Sequence, residues 1–413
     1  MTQTADVVVI GAGIIGMSAA FQIARRSNAR VIVLEKGVGP GEGSTGASSA
    51  VCRFRYSYAE IVQLAKDGIG AYQNWPDFLG MATPNARFHG IGVVWLSDER
   101  EWAVREAARM GTLGIAADAL DDTALAEAFP DLSPCIVPPD LVGGEEHECR
   151  GGALHLFERD SGYMDPVDAL QDLIAAARAR GVDVRFSTSA EDIIVEGGAV
   201  TGVRLTDGGT ISCGAVVMAA GPWCLPFLDR HGLGGRWPLE PTRIQIAHID
   251  RPAEMKGALP VCVDMAGGIY FRPQNRGQQI IVGSVLEEDE KERVGAPDNY
   301  ARYADDAFIR PKLHALQHRL RLPEIRGHVR GYSGLYTINR ADMHPIVGPT
   351  PIDGLHVANG CSGHGFKLAP AIGALLARHI TGIAAPGFDT AMDPAFLAFD
   401  RVPIRLAAMN VLA

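Results

Sequence analysis

Val7-Val8-Val9-Ile10-Gly11-Ala12-Gly13-Ile14-Ile15-Gly16 is the stretch that decides the fold. Its first four residues form a short, unbroken apolar run, as expected of a parallel strand buried on both faces. Three glycines come next at G-x-G-x-x-G spacing. Met17 to Arg26 then reads as a helix, with Ala19, Ala20, Ile23 and Ala24 available to face a sheet. Arg30 to Leu34 is a second apolar strand, and Glu35 ends it, 19 residues beyond Gly16.

Each part has a physical reason. Gly11 permits a tight turn, Gly13 lets backbone N–H groups approach a pyrophosphate, and Gly16 lets the helix lie close to the strand. Ile14 and Ile15, between Gly13 and Gly16, are expected at the cofactor, and the N-terminus of the helix that follows favours phosphate charge. Glu35 can accept hydrogen bonds from a ribose diol. With glycine at 48 of 413 positions, the motif alone could be a turn with no ligand. Strand, glycines, helix, second strand and acid in order specify a dinucleotide site, without choosing between FAD and NAD.

The chain beyond Glu35 makes that choice. Glu35-Lys36 leads into Gly37 to Ser49, a loop of small and hydroxyl residues that includes Ser44, Thr45, Ser48 and Ser49. A nicotinamide enzyme would continue with another β-α unit here. This loop instead suits backbone and hydroxyl contacts to a pyrophosphate and a bulky ring, although its composition also fits a surface linker. Ala215 to Trp223 is an apolar strand that ends in Ala219, Ala220, Gly221, Pro222 and Trp223. Gly354 to Gly360 is another strand, followed by Cys361-Ser362-Gly363-His364-Gly365-Phe366-Lys367 and an apolar helix, Leu368 to Ile380. The N–H groups of this second glycine turn could stabilise negative charge on a reduced isoalloxazine. FAD is therefore the expected cofactor.

At Asp6 to Glu35, Ser44 to Tyr56, Gly214 to Trp223 and Gly334 to Gly373 the sequence resembles the D-amino-acid oxidase-like flavoprotein family. Within it, the similarity is to the sarcosine oxidase, glycine oxidase and dimethylglycine dehydrogenase branch, with Gly363 to Lys367 the most specific match. The resemblance implies an α/β (α+β) fold: a discontinuous Rossmann-like FAD-binding domain (1–87, 150–223 and 326–390) interleaved with an antiparallel-sheet substrate domain (88–149 and 224–325), and a C-terminal segment, 391–413. It also places Ala190 against the cofactor.

The resemblance further implies that Arg53 and Lys367 bind a substrate carboxylate, with Arg55 competing for the first role, and that Tyr336 lies near the substrate. The implied reaction removes hydride from a C–H beside the nitrogen of a small amine or amino acid, giving an imine that hydrolyses. No side-chain base is required, and His364 reads as part of the flavin-contacting turn. Two departures matter. The position of a flavin-attaching cysteine is about Gly334, which implies non-covalent FAD. The oxygen-activating lysine is replaced near Ile281, and Ser284 and Val285 occupy the place of a pocket histidine. These leave oxygen or another electron acceptor open and point away from sarcosine itself. The alternatives are oxidation of a hydroxy acid, a flavin-binding subunit of a larger complex, or an NAD-dependent dehydrogenase.

Bulk composition agrees. A net charge of −10 argues against a nucleic-acid partner. The N-terminus lacks the charged and apolar regions of a secretory signal, and no run approaches the roughly 18 apolar residues of a membrane span. Seven cysteines without a C-x-x-C pair suggest reduced thiols in a cytoplasm and lend no support to a structural zinc site.

Overall fold

The computed structural model describes residues 3–255, 257–321, 325, 329–406 and 412. The terminal segment expected at 391–413 is therefore described only as far as 406 and at 412. The apolar run Val7–Ile10 is a central strand of a six-stranded sheet. Val31–Leu34 and Ala215–Met218 flank it in parallel, pairing Val7 with Val31 and with Ala215. Asp183–Arg185 extends the sheet on one side. On the other lie Leu355–Asn359 and then the antiparallel edge strand Ile346–Pro349. All four residues of Val7–Ile10 and of Val31–Leu34 are buried, which is why neither strand shows polar alternation.

The helix Ile14–Arg26 comes after the first glycine turn and packs against Gly365–Thr381. Gly373 makes that approach possible: a Cβ there would sit 2.6 Å from the Ser18 backbone carbon. A third helix, Pro166–Ala179, begins on Asp165, whose carboxylate accepts from the N–H groups of Val167 and Asp168. The other face of the sheet is covered by a four-stranded layer, Gln3–Thr4, Thr210–Ser212, Ala199–Leu205 and Ala190–Glu196. Val203 and Ile211 of that layer pack with Val8 and Val216.

The second layer is an eight-stranded, mostly antiparallel sheet. Its order is Arg330–Asn339, Leu239–Asp250, Gln279–Ser284, Ile269–Gln274, Val261–Asp264, Val93–Leu96, His155–Glu158 and Ala117–Leu120. Only Val261–Asp264 and Val93–Leu96 run parallel. The helix Asp306–Arg319 lies on one face, where Ala315 and Leu316 join Ala247, Phe271 and Ile280. Two strands of this sheet, His155–Glu158 and Arg330–Asn339, come from spans that the sequence assigns to the cofactor half. The reason is pairing: Arg330–Asn339 zips onto Leu239–Asp250 from Leu239↔Asn339 to His248↔Arg330. Among the described residues no helix is long and apolar enough to cross a membrane.

Candidate active site

A cleft of about 530 Å³ opens at the C-terminal ends of Val7–Ile10, Ala215–Met218 and Leu355–Asn359, where open parallel sheets bind ligands. The first glycine turn forms its floor. Gly11 has φ +104°, and a Cβ there would lie 2.6 Å from the Ala219 carbonyl oxygen, so only glycine fits. A Cβ on Gly16 would lie 2.0 Å from the Gly11 oxygen, a packing role that leaves Gly16 outside the cleft wall.

Gly11, Gly13, Ile14, Ile15, Glu35, Lys36, Ser44, Thr45, Ser48, Ala190, Ala220, Gly221, Trp223, Tyr336, Gly363, Gly365 and Phe366 all line the cleft. The carboxylate of Glu35 is held on both sides, accepting from Ala12 N–H at 2.9 Å and from Gly37 N–H at 2.8 Å. Thr45 Oγ1 accepts from Ile14 N–H at 3.1 Å. Neither Ile14–Arg26 nor Gly365–Thr381 has a side-chain N-cap or an acidic residue in its first turn. Neither helix therefore offsets its own positive end, and the only carboxylate described at the first of them is that of Glu35 on Ala12 N–H. Glycine turns, aimed N–H groups and a positioned acid suit the pyrophosphate and ribose of FAD.

The second turn is held by the neighbouring sheet. Ser362, at a left-handed φ of +45°, donates its N–H to Thr337 O at 3.0 Å, and its hydroxyl accepts from Asn339 N–H at 3.0 Å. Gly363 has φ +83°, and a Cβ there would lie 2.6 Å from the Tyr336 ring. Burial, then the nearby Tyr270, raises the Tyr336 hydroxyl well above the usual tyrosine range, so it stays a proton donor at neutral pH.

Ser49, Arg53, His364 and Lys367 do not line this cleft. The Ser49 carbonyl accepts from Arg272 Nε at 2.5 Å. The ring of His364 is turned toward Tyr56 and His344, at centroid distances of 5.2 and 6.3 Å. Arg53 and Lys367 are both buried, and Lys367 follows Phe366, which lines the cleft. The Arg53 guanidinium lies 4.4 Å from the Tyr56 ring and 5.4 Å from that of Trp95, and donates to the Arg55 carbonyl. Burial, then repulsion from Arg53, lowers the Lys367 ammonium to about 7. Arg55 lies 3.5 Å from Glu106 and 5.0 Å from the same Trp95 ring.

Two residues that the sequence did not single out organise the site. Glu158 is fully buried; it accepts from Phe54 N–H at 2.7 Å, Ser161 Oγ at 2.6 Å and Trp95 Nε1 at 2.7 Å. It thereby fixes the backbone next to Arg53 and places a negative charge near both cations. Asp298 lines the cleft, accepts from Trp223 Nε1 at 2.9 Å and pairs with Lys36, whose ammonium lies 4.2 Å from the Trp223 ring. Neither acid lies in a motif, so only the fold reveals them.

With this geometry, the chain matches the family described as FAD dependent oxidoreductase over residues 6–379. A glycine oxidase of Pseudomonas putida is 29% identical over 399 residues, covering 94% of this chain and 97% of that protein. FAD-dependent oxidoreductase domain-containing protein 1 of Mus musculus is 26% identical over 454 residues, covering 99% of this chain and 88% of its own. Among solved structures, L-proline dehydrogenase from P. horikoshii shares the fold with a TM-score of 0.80 over 97% of this chain and 98% of that one, at 21% identity.

Proposed function

The chain belongs to the FAD dependent oxidoreductase family, and on that premise we propose that it oxidises the C–H bond beside nitrogen in a small amine or amino acid that carries a carboxylate. The observation that carries this reading is that two buried cations, Arg53 and Lys367, lie close enough to repel one another, with Lys367 next in the chain to the cleft residue Phe366. Bound FAD supplies the two-electron acceptor.

The chain's own residues supply position and charge. Arg53 offers a planar fork to a carboxylate, and Lys367 adds a point charge whose affinity for an anion is strengthened by burial. The bound carboxylate in turn favours the protonated form of Lys367, reversing part of its pKa depression. Tyr336, neutral and close to the second glycine turn, can donate a hydrogen bond to the substrate. The amine must be neutral to release electrons from the adjacent C–H, and the resulting imine then hydrolyses in water.

Two features support the finer expectations. A Cβ on Gly334 would lie 2.4 Å from that of Ala47, so the position has no room for an attaching cysteine, and burial pushes the cleft thiol of Cys361 up to about 12. Both favour non-covalent FAD. Ile281 is fully buried and pairs across the sheet with Arg272, and no lysine lies in Gln279–Ser284. Arg272 therefore keeps a positive charge beside this position, and either oxygen or another acceptor can take the electrons. In the proposed division, the half built on the six-stranded sheet holds the cofactor and the eight-stranded half the substrate.

The test is anaerobic mixing with N-methyl and N-alkyl amino acids, each paired with its hydroxy-acid analogue, while flavin absorbance is followed. Bleaching by an amine and not by its hydroxy partner is expected. Bleaching by hydroxy acids alone would refute the amine reading.

A further inference from the structure

Between the helix Asp122–Ala128 and the strand His155–Glu158, residues 129–154 form no helix or strand. Stretches this long are uncommon in compact folds unless something holds them. Here one end is pinned by Arg319. Its guanidinium is locked to Asp264 by contacts of 2.8 and 2.9 Å and also donates to the carbonyls of Ser133 and Cys135. Ser133 N–H donates back to Arg319 O at 2.8 Å, and Ile136 N–H to Arg150 O at 2.8 Å. The second contact folds the stretch on itself and brings Cys149 back beside Cys135. His318, the residue before Arg319, is carried to the same place.

The result is a compact set of four soft or borderline donors. The sulfurs of Cys135 and Cys149 and a ring nitrogen each from His147 and His318 all lie within 4.8 Å of one another. Cys135 Sγ is 3.3 Å from His147 Nε2, and the two imidazole centroids are 4.4 Å apart. His318 Nε2 is buried and has no hydrogen-bond partner. A tetrahedral ion with Zn–S of about 2.3 Å and Zn–N of about 2.0–2.1 Å has S···N edges of about 3.5 Å. None of the four residues lines the cofactor cleft.

We propose that Cys135, His147, Cys149 and His318 bind one Zn²⁺ in a closed structural site. Thiolate and imidazole donors select zinc over magnesium or calcium, and four protein ligands leave no open position for a substrate. Binding replaces the two thiol protons, which are released to solvent, and the two thiolates balance the charge of the ion. The ion staples residues 129–154 to the last turn of Asp306–Arg319, and so to the eight-stranded sheet. The absence of a C-x-x-C pair pointed away from zinc. In the fold three donors come from one irregular loop and the fourth from a helix far along the chain, a spacing that no short motif shows.

The test uses the full-length holoprotein, purified without chelators from zinc-supplemented cells, with metal and flavin quantified together. About one zinc per chain is expected, as for other closed sites. Cys149→Ser and His318→Asn should each lose most of it while keeping their flavin. Exchange with Co²⁺ should produce thiolate-to-metal charge-transfer absorption in the difference spectrum. Wild-type protein that carries no zinc and shows no such band overturns the proposal. So does recovery of a Cys135–Cys149 disulfide from the native protein. If a variant fails to fold, the wild-type metal content and cobalt spectrum decide alone.

Discussion

Replacing Lys367 with methionine should stabilise the flavin-free protein at low pH and do progressively less as pH rises. Lys367 is 6% exposed, and burial beside Arg53 lowers its pKa from the usual 10.5 to about 7. The folded chain therefore binds fewer protons than the unfolded chain between those two values, so the wild type gains stability as pH rises through that window. Below pH 7 the charged ammonium costs the fold about 5 kcal/mol, from roughly 3.5 pKa units at about 1.4 kcal/mol each. At pH 9 the unfolded lysine is still charged while the folded one is neutral, and the cost falls to about 2 kcal/mol. Methionine has similar length and no charge, and its own packing contribution does not vary with pH. The assay is urea unfolding of wild type and Lys367→Met at pH 6 and pH 9, followed by tryptophan fluorescence on protein stripped of flavin. The stability gap should shrink by about 3 kcal/mol between the two pH values. A gap that is constant with pH would show that Lys367 is not held as a strained cation, and the argument for it as a carboxylate-seeking charge would fail.

Other consequences are open to direct measurement. Arg53→Met should lower kcat/KM for a carboxylate-bearing amine by about 10- to 100-fold, the loss of a charge-assisted hydrogen bond worth about 1.5–3 kcal/mol. The same variant should barely alter turnover of a matched amine without the carboxylate, and equal losses on both substrates would count against carboxylate binding. Gly11→Ala places a Cβ 2.6 Å from the Ala219 oxygen at φ +104°, so the purified protein should be nearly colourless, as read by its flavin-to-protein absorbance ratio. Glu158→Gln must turn an NH₂ toward one of three donors, those on Phe54, Ser161 and Trp95, and should lower the melting temperature by an amount corresponding to about 1–3 kcal/mol.

The sequence by itself determined those parts of this protein whose physics is local. An apolar run, glycines at a spacing only a tight turn needs, and an acid at the end of the next strand are all set by neighbours close by in the chain. In the structure Gly11, Gly13 and Glu35 line one cleft, and Glu35 accepts from the Ala12 N–H of the turn. The second glycine turn is local in the same sense, from Leu355–Asn359 through Gly363 to the helix Gly365–Thr381. Only the tertiary structure could decide what depends on long-range pairing. Arg330–Asn339 joins the eight-stranded sheet because its partner is Leu239–Asp250, and no periodicity within either strand names the other. Arg53 meets Tyr56 and Arg55 meets Glu106, and Lys367 owes its lowered pKa to burial beside an arginine from the opposite end of the chain. Glu158, Asp298 and the Cys135, His147, Cys149 and His318 cluster lie in no motif. A side chain's charge, burial and partners are properties of the space it enters, and that space is assembled from segments far apart in the chain.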